Sequence, residues 1–89
     1  MIEQTIQNKI ITYLQCQGAY VRKNIATNRA GTPDITACIR GKFIALEVKC
    51  PGEKATKLQE YNLRLIRDAG GIAETVHSLE EAKNAIACL

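Results

Sequence analysis

The chain has 89 residues, 46% of them apolar and 24% charged, with a formal net charge of +3. That is enough chain for one domain, residues 1–89, near the lower size at which a single core suffices, and it is too apolar for disorder. No run approaches the ~18 apolar residues of a membrane span. The opening "MIEQTIQNK" lacks the basic start and apolar run of a signal peptide, which points to the cytoplasm.

Apolar residues at helical spacing (Ile2, Ile6, Ile10, Tyr13, Leu14) predict a helix over 3–17 that Gly18 ends. "AYVRKNI" (19–25) alternates as a strand with Ala19, Val21 and Lys23 on one face, and "ATNRAGTP" (26–33) has loop composition. Two further strands, "DITACI" and "KFIALEVK", are joined at Arg40-Gly41, and "CPGEKA" (50–55) breaks the sheet because Pro51 cannot donate to a ladder. Thr56 and Gln59 form a capping box opening a helix over Lys57–Ala69, which Gly70-Gly71 closes. "IAETV" (72–76) is a strand, and a second box, Ser78 with Glu81, opens a last helix to about Cys88. The order is αβββαβα, an α/β fold with a small mixed β-sheet flanked by helices. The helix between the third and fourth strands makes that pair parallel.

Charge and cysteine usage add little alone. Residues 1–67 hold eleven Lys/Arg against five Asp/Glu, whereas 68–89 hold Lys83 against Asp68, Glu74, Glu80 and Glu81. A phosphate-bearing partner would meet the first two-thirds. Cys16, Cys38, Cys50 and Cys88 form no CxxC pair, and His77 is the single histidine, so they read as buried or half-buried free thiols rather than a zinc set.

The hairpin carries the chemistry. Alternation puts Phe43, Ala45, Glu47 and Lys49 on one face and assigns Ile44, Leu46 and Val48 to the core. With a two-residue turn, paired positions sum to 81 and Asp34 stands across from Glu47, where Cβ atoms lie about 4.5–5.5 Å apart and like charges destabilise. A three-residue turn would shift the pairing by one and leave the two carboxylates diagonal. A divalent cation between them converts the repulsion into attraction. Pro33 fixes its own φ and extends Thr32, so Asp34 is delivered rigidly at the strand's start.

Pro33-Asp34 followed by Glu47-Val48-Lys49 resembles the PD-(D/E)XK nuclease motif. The wording "GTPDITA" and "GKFIALEVK" is most similar to the VRR-NUC branch, which occurs as standalone phage-type proteins and as the nuclease domain of Fanconi-associated nuclease. The resemblance spans nearly the whole chain and implies a restriction-endonuclease-like fold. It also implies that Asp34, Glu47 and the Val48 carbonyl ligate Mg²⁺ (or Mn²⁺), and that Lys49 holds or deprotonates the attacking water. Glu3, stacked with Gln7, Ile10 and Leu14 on the sheet-facing side, is the candidate further ligand from the first helix. Its competing role is an acid at a helix N-terminus. Gln59 matches a position that contacts the site or substrate, against its role in the capping box. Arg22, Lys23, Arg29, Lys54 and Lys57 form a candidate phosphate-contact rim. Arg64 is assigned to Glu60 at i, i+4, Tyr13, Tyr20 and Tyr61 to packing, and His77 to the surface.

The expected activity is a Mg²⁺-dependent endodeoxyribonuclease on branched DNA, a homodimer acting like a Holliday-junction resolvase, with no membrane and no small-molecule cofactor. The competing readings are a catalytically silent DNA-binding module, a monomeric nicking or flap nuclease, and a structural subunit with an accidental acidic cluster.

Overall fold

The structure, a computed structural model, describes residues 2–25 and 30–89. Its elements are α1 (Ile2–Cys16), β1 (Tyr20–Lys23), β2 (Ile35–Ile39), β3 (Lys42–Val48), α2 (Lys57–Asp68), β4 (Ile72–Val76) and α3 (Leu79–Ala85). The sheet order is β1-β2-β3-β4, with the first two pairings antiparallel and β3–β4 parallel. This is an α/β restriction-endonuclease-like architecture, as the predicted element order implies.

The β2–β3 hairpin closes through Arg40 at φ 51 and Gly41 at φ 80, so both central residues are left-handed and the strands inherit the twist of a two-residue turn. Ile39 faces Lys42 and Ile35 faces Leu46, the register in which positions sum to 81. α1 ends at Gly18, whose φ of 89 turns the chain back so that the Ala19 N–H reaches the Leu14 carbonyl at 3.0 Å. α2 has both halves of its capping box, and the Arg67 guanidinium donates to the Ala73 carbonyl, tying the helix to β4. α3 keeps half of its box: Ser78 accepts from the Glu81 N–H, but the Glu81 carboxylate takes the His77 N–H instead of its own cap's. α3 gives way to turns after Ala85, short of the predicted end near Cys88.

Both faces of the sheet are covered. Ile10 and Leu14 of α1, with Ala82 and Ile86 at the C-terminal end, pack on Ile35, Ala37, Ile44, Leu46 and Val48. On the opposite face α2 lays Leu63 and Ile66 over Ala45 and Ala73. The expectation of one core face on β3 is thereby corrected: Ala45 is completely buried, because its small side chain lets α2 sit close.

Other assignments also change. Tyr20 and Tyr61 are exposed, and so are Cys16, Cys38 and Cys88; Cys50 alone is half-buried. Arg64 lies over the Tyr61 ring, 5.8 Å from its centroid, instead of pairing with Glu60. Among the described residues no helix is long and apolar enough to cross a membrane.

The segment entering β2 presses on α2 through Gly31, at φ +82, where a Cβ would sit 2.6 Å from Asn62 Nδ2 and 2.8 Å from Leu58 Cγ. Gly52, at φ +89, has nothing within 4 Å of the same position. Gly31→Ala should therefore destabilise the protein by about 2–3 kcal/mol and Gly52→Ala by only about 1 kcal/mol, read from urea unfolding midpoints.

Candidate active site

The site begins with what Pro33 cannot do. In a hairpin closed by Ile39 and Lys42, the hydrogen-bonded rungs recur at every second pair, so Pro33 falls opposite Val48 on such a rung. A proline has no N–H to offer the Val48 carbonyl. The Val48 N–H is taken instead by Asp34 Oδ2 at 2.8 Å, and the ladder stops at Ile35. A strand residue's N–H and C=O project to the same edge. The Val48 carbonyl therefore faces the side on which Asp34 lies.

One rung back, Asp34 and Glu47 oppose each other at a non-hydrogen-bonded pair, the rung at which side chains come closest. The backbone of Asp34 turns the other way, its carbonyl accepting from the Asn24 N–H at 2.7 Å. Asn24 also donates through Nδ2 to the Pro33 carbonyl at 2.9 Å, so one side chain at the end of β1 braces the Pro33-Asp34 corner. Sequence reading passed over Asn24, since an asparagine between a strand and a loop carries no signal of its own.

Glu47 is 2% exposed. Burial first, then the charge of Asp34 and a hydrogen bond to its side chain, push the Glu47 carboxyl up to about 8; Lys49 opposes this and Glu3 adds a little. Gln59 Nε2 donates to Glu47 Oε2 at 3.1 Å, while Gln59 Oε1 accepts from the Thr56 N–H at 2.8 Å. The capping box and the site contact, competing roles at the level of sequence, are filled by one side chain at once. The other oxygen, Glu47 Oε1, is buried with no hydrogen-bond partner.

Glu3 reaches this neighbourhood from elsewhere than expected. α1 packs on the face of the sheet opposite α2, and alternation puts Asp34 and Glu47 on the α2 face. The Glu3 carboxylate lies instead at the end of β3, where its ligand atoms, those of Cys50 and those of Glu53 are within 4.8 Å of one another. Cys50 and Glu53 are thus neighbours that the sequence reading did not foresee. Their distance in sequence from Glu3 hides the contact.

The candidate rim divides as well. By register, Arg22 (opposite Thr36) shares the carboxylate face, whereas Lys23 (opposite Ile35) shares the α1 face. Lys54 and Lys57 border a cleft of about 750 Å³ that also includes Thr75, the β4 partner of Glu47. Arg29 lies outside the described residues.

No protein-family model matches the chain, and no curated protein matches it. A solved structure described as a VRR_NUC domain is similar to it with a TM-score of 0.85 and 25% sequence identity, covering 98% of this chain and 96% of that chain. The chain has the fold of a VRR-NUC domain. The likeness extends across all seven elements rather than resting on the hairpin alone, and it supports a nuclease-type domain.

The raised Glu47 has a consequence for the metal-free protein. A carboxyl that titrates near its ordinary 4.5 when unfolded and at about 8 when folded stabilises the protein fully below 4.5 and loses that contribution as pH rises through 8. In EDTA the melting temperature should fall across this window. Glu47→Gln should flatten the profile and melt above wild type at its alkaline end.

Proposed function

We propose that the chain is a cytoplasmic, metal-dependent endodeoxyribonuclease that hydrolyses phosphodiesters of branched DNA. The observation that carries this reading is the buried Oε1 of Glu47, unpartnered among the described residues, on a carboxyl group that stands beside Asp34. A buried polar atom without a partner is costly, and two opposed carboxylates add repulsion. Both costs are relieved by a hard divalent cation, and an all-oxygen donor set suits Mg²⁺, with Mn²⁺ as a substitute.

Asp34, Glu47 and the Val48 carbonyl would hold the ion, with Glu3 as a contributor from the end of β3. Bound there, the metal supplies Lewis-acid stabilisation of the phosphate and acidifies water. The remaining roles belong to the chain. Lys49 follows Val48 on the Glu47 side of the strand, from which its side chain orients the attacking water or, as the free amine, takes its proton, and as the ammonium offsets charge on the phosphate. Gln59 fixes one oxygen of Glu47 and so leaves the other for the ion. Arg22, Lys23, Arg29, Lys54 and Lys57 contact the DNA backbone. A catalytically silent module is disfavoured because Asp34, Glu47 and Lys49 are all present.

A four-way junction is the preferred substrate, since a domain this small carries one site and paired cuts need two. Two copies related by a two-fold axis provide them. The acidic outer face of α3 suits that contact, leaving the basic portion of the chain for DNA. Light scattering at micromolar protein with junction bound should give the junction's own mass plus two chains of 9.8 kDa. A monomer under all conditions would favour a nicking or flap nuclease instead.

Cleavage of a labelled four-way junction in Mg²⁺ tests the chemistry. Asp34→Ala and Glu47→Ala should each lower the rate at least about 10²-fold. Lys49→Ala should lower kcat by about 10²-fold and leave KM nearly unchanged, because one binding cation among several is replaceable and a positioned ammonium is not. Undiminished cleavage by either carboxylate variant would remove the assignment.

A further inference from the structure

His77, assigned to the surface from sequence, is held on both sides. Its Nδ1 lies 3.0 Å from Glu81 Oε1, and its Nε2 lies 2.7 Å from the Glu53 carbonyl oxygen. Both facing atoms are acceptors, so both ring nitrogens must carry hydrogen for the two contacts to form. The Glu81 carboxylate is itself fixed, since the same Oε1 accepts the His77 N–H at 2.9 Å and the Glu81 N–H is capped by Ser78.

The other end of this bridge is a turn. The Glu53 N–H bonds the Cys50 carbonyl at 3.0 Å, with Pro51 and then Gly52, at φ 89, in the central positions. This turn begins one residue after Lys49 and delivers Lys54 to the cleft it shares with His77, Lys57 and Thr75. Pro51, Gly52 and Glu53 are exposed, and the bridge to His77 adds a second hydrogen bond to the turn's internal one.

We propose that His77 is a positioning residue that clamps the Cys50–Glu53 turn to α3 and so presents Lys54 to DNA approaching the Asp34–Glu47 site. The DNA part of this inference rests on the nuclease reading. Charge in the cleft balances: Glu53, Glu60 and Glu81 offset Lys54, Lys57 and the doubly protonated His77. Attraction for phosphate there depends on where Lys54 is held, not on net charge. Asp34, Glu47 and Lys49 are held at the sheet itself, Asp34 through the Val48 N–H, Glu47 within β3, and Lys49 through its own N–H on the Val76 carbonyl at 3.0 Å. Opening the clamp thus weakens DNA binding and spares the chemical step. The hydrogen bond to Glu81, then that to the Glu53 carbonyl, raise the His77 pKa, and the same pairing lowers that of Glu81, in keeping with the charged bridge.

The test compares His77→Ala and Glu81→Ala on a labelled four-way junction in Mg²⁺, with binding in Ca²⁺ and hydrogen exchange at the Glu53 amide. Both variants should raise KM about fivefold or more with kcat within about twofold, and Glu53 exchange should quicken at least about tenfold. Lys54→Ala should raise KM in wild type and add nothing to His77→Ala. Glu81→Ala removes an acid, so a purely electrostatic role for this cleft would lower its KM. That result, or unaltered Glu53 exchange, overturns the clamp. Should His77→Ala fail to fold, His77→Gln, which keeps one donor, should show the same changes in smaller measure, and their absence overturns the clamp equally. If wild-type protein cuts no junction, the nuclease reading falls, while exchange and Ca²⁺ binding still decide the clamp.

Discussion

Two carboxylates held at the closest rung of a hairpin are a constraint that the rest of this small fold answers to. Left alone, Asp34 and Glu47 would push β2 and β3 apart where the ladder ends. The Val48 N–H takes one oxygen of Asp34 and Gln59 takes one oxygen of Glu47. A proton raised onto Glu47 relieves what remains. The helices on the two faces supply apolar burial on either side of β3, so the strand bearing the charge is also the strand most firmly held.

Much of this was legible because it is local. The Arg40-Gly41 turn specified its own register, the Thr56/Gln59 pair announced the start of α2, and the helical span between β3 and β4 required a parallel pair. The carboxylates followed from that register by counting. What could not be read is what depends on sidedness and on long-range approach. Ala45 looked like surface because nothing in its neighbours reveals that α2 lies above it. Glu3 carried the right periodicity, but its approach around the end of β3 is fixed by how α1 crosses the sheet. His77 and Glu53 are twenty-four positions apart, and only the parallel pairing that brings Val76 beside Val48 makes them neighbours.

The site thereby separates into two regimes. The groups proposed to ligate and react, Asp34, Glu47 and Lys49, lie at the end of the β2–β3 hairpin in or beside the buried stretch Ile44–Val48, where the ladder sets the geometry. The basic groups that would meet DNA sit on an edge strand, a turn and the first turn of a helix, where few contacts hold them. Such a division lets a rigid centre act on a backbone whose path varies, since the mobile contacts adjust while the reacting geometry stays fixed.

The two-residue turn has a reach beyond its own position. It lies six residues from each carboxylate, about 20 Å along the strand, yet it determines that Asp34 and Glu47 share a face. One inserted residue that slipped the register would move every partner on β2 by one place and, because side chains alternate, would take Asp34 off the face of Glu47 instead of leaving the two acids diagonal neighbours. The length of this turn is therefore a ruler for the site. Surface loops away from these strands tolerate insertion, but at Arg40-Gly41 the length is tied to the two acids at the far end of the strands.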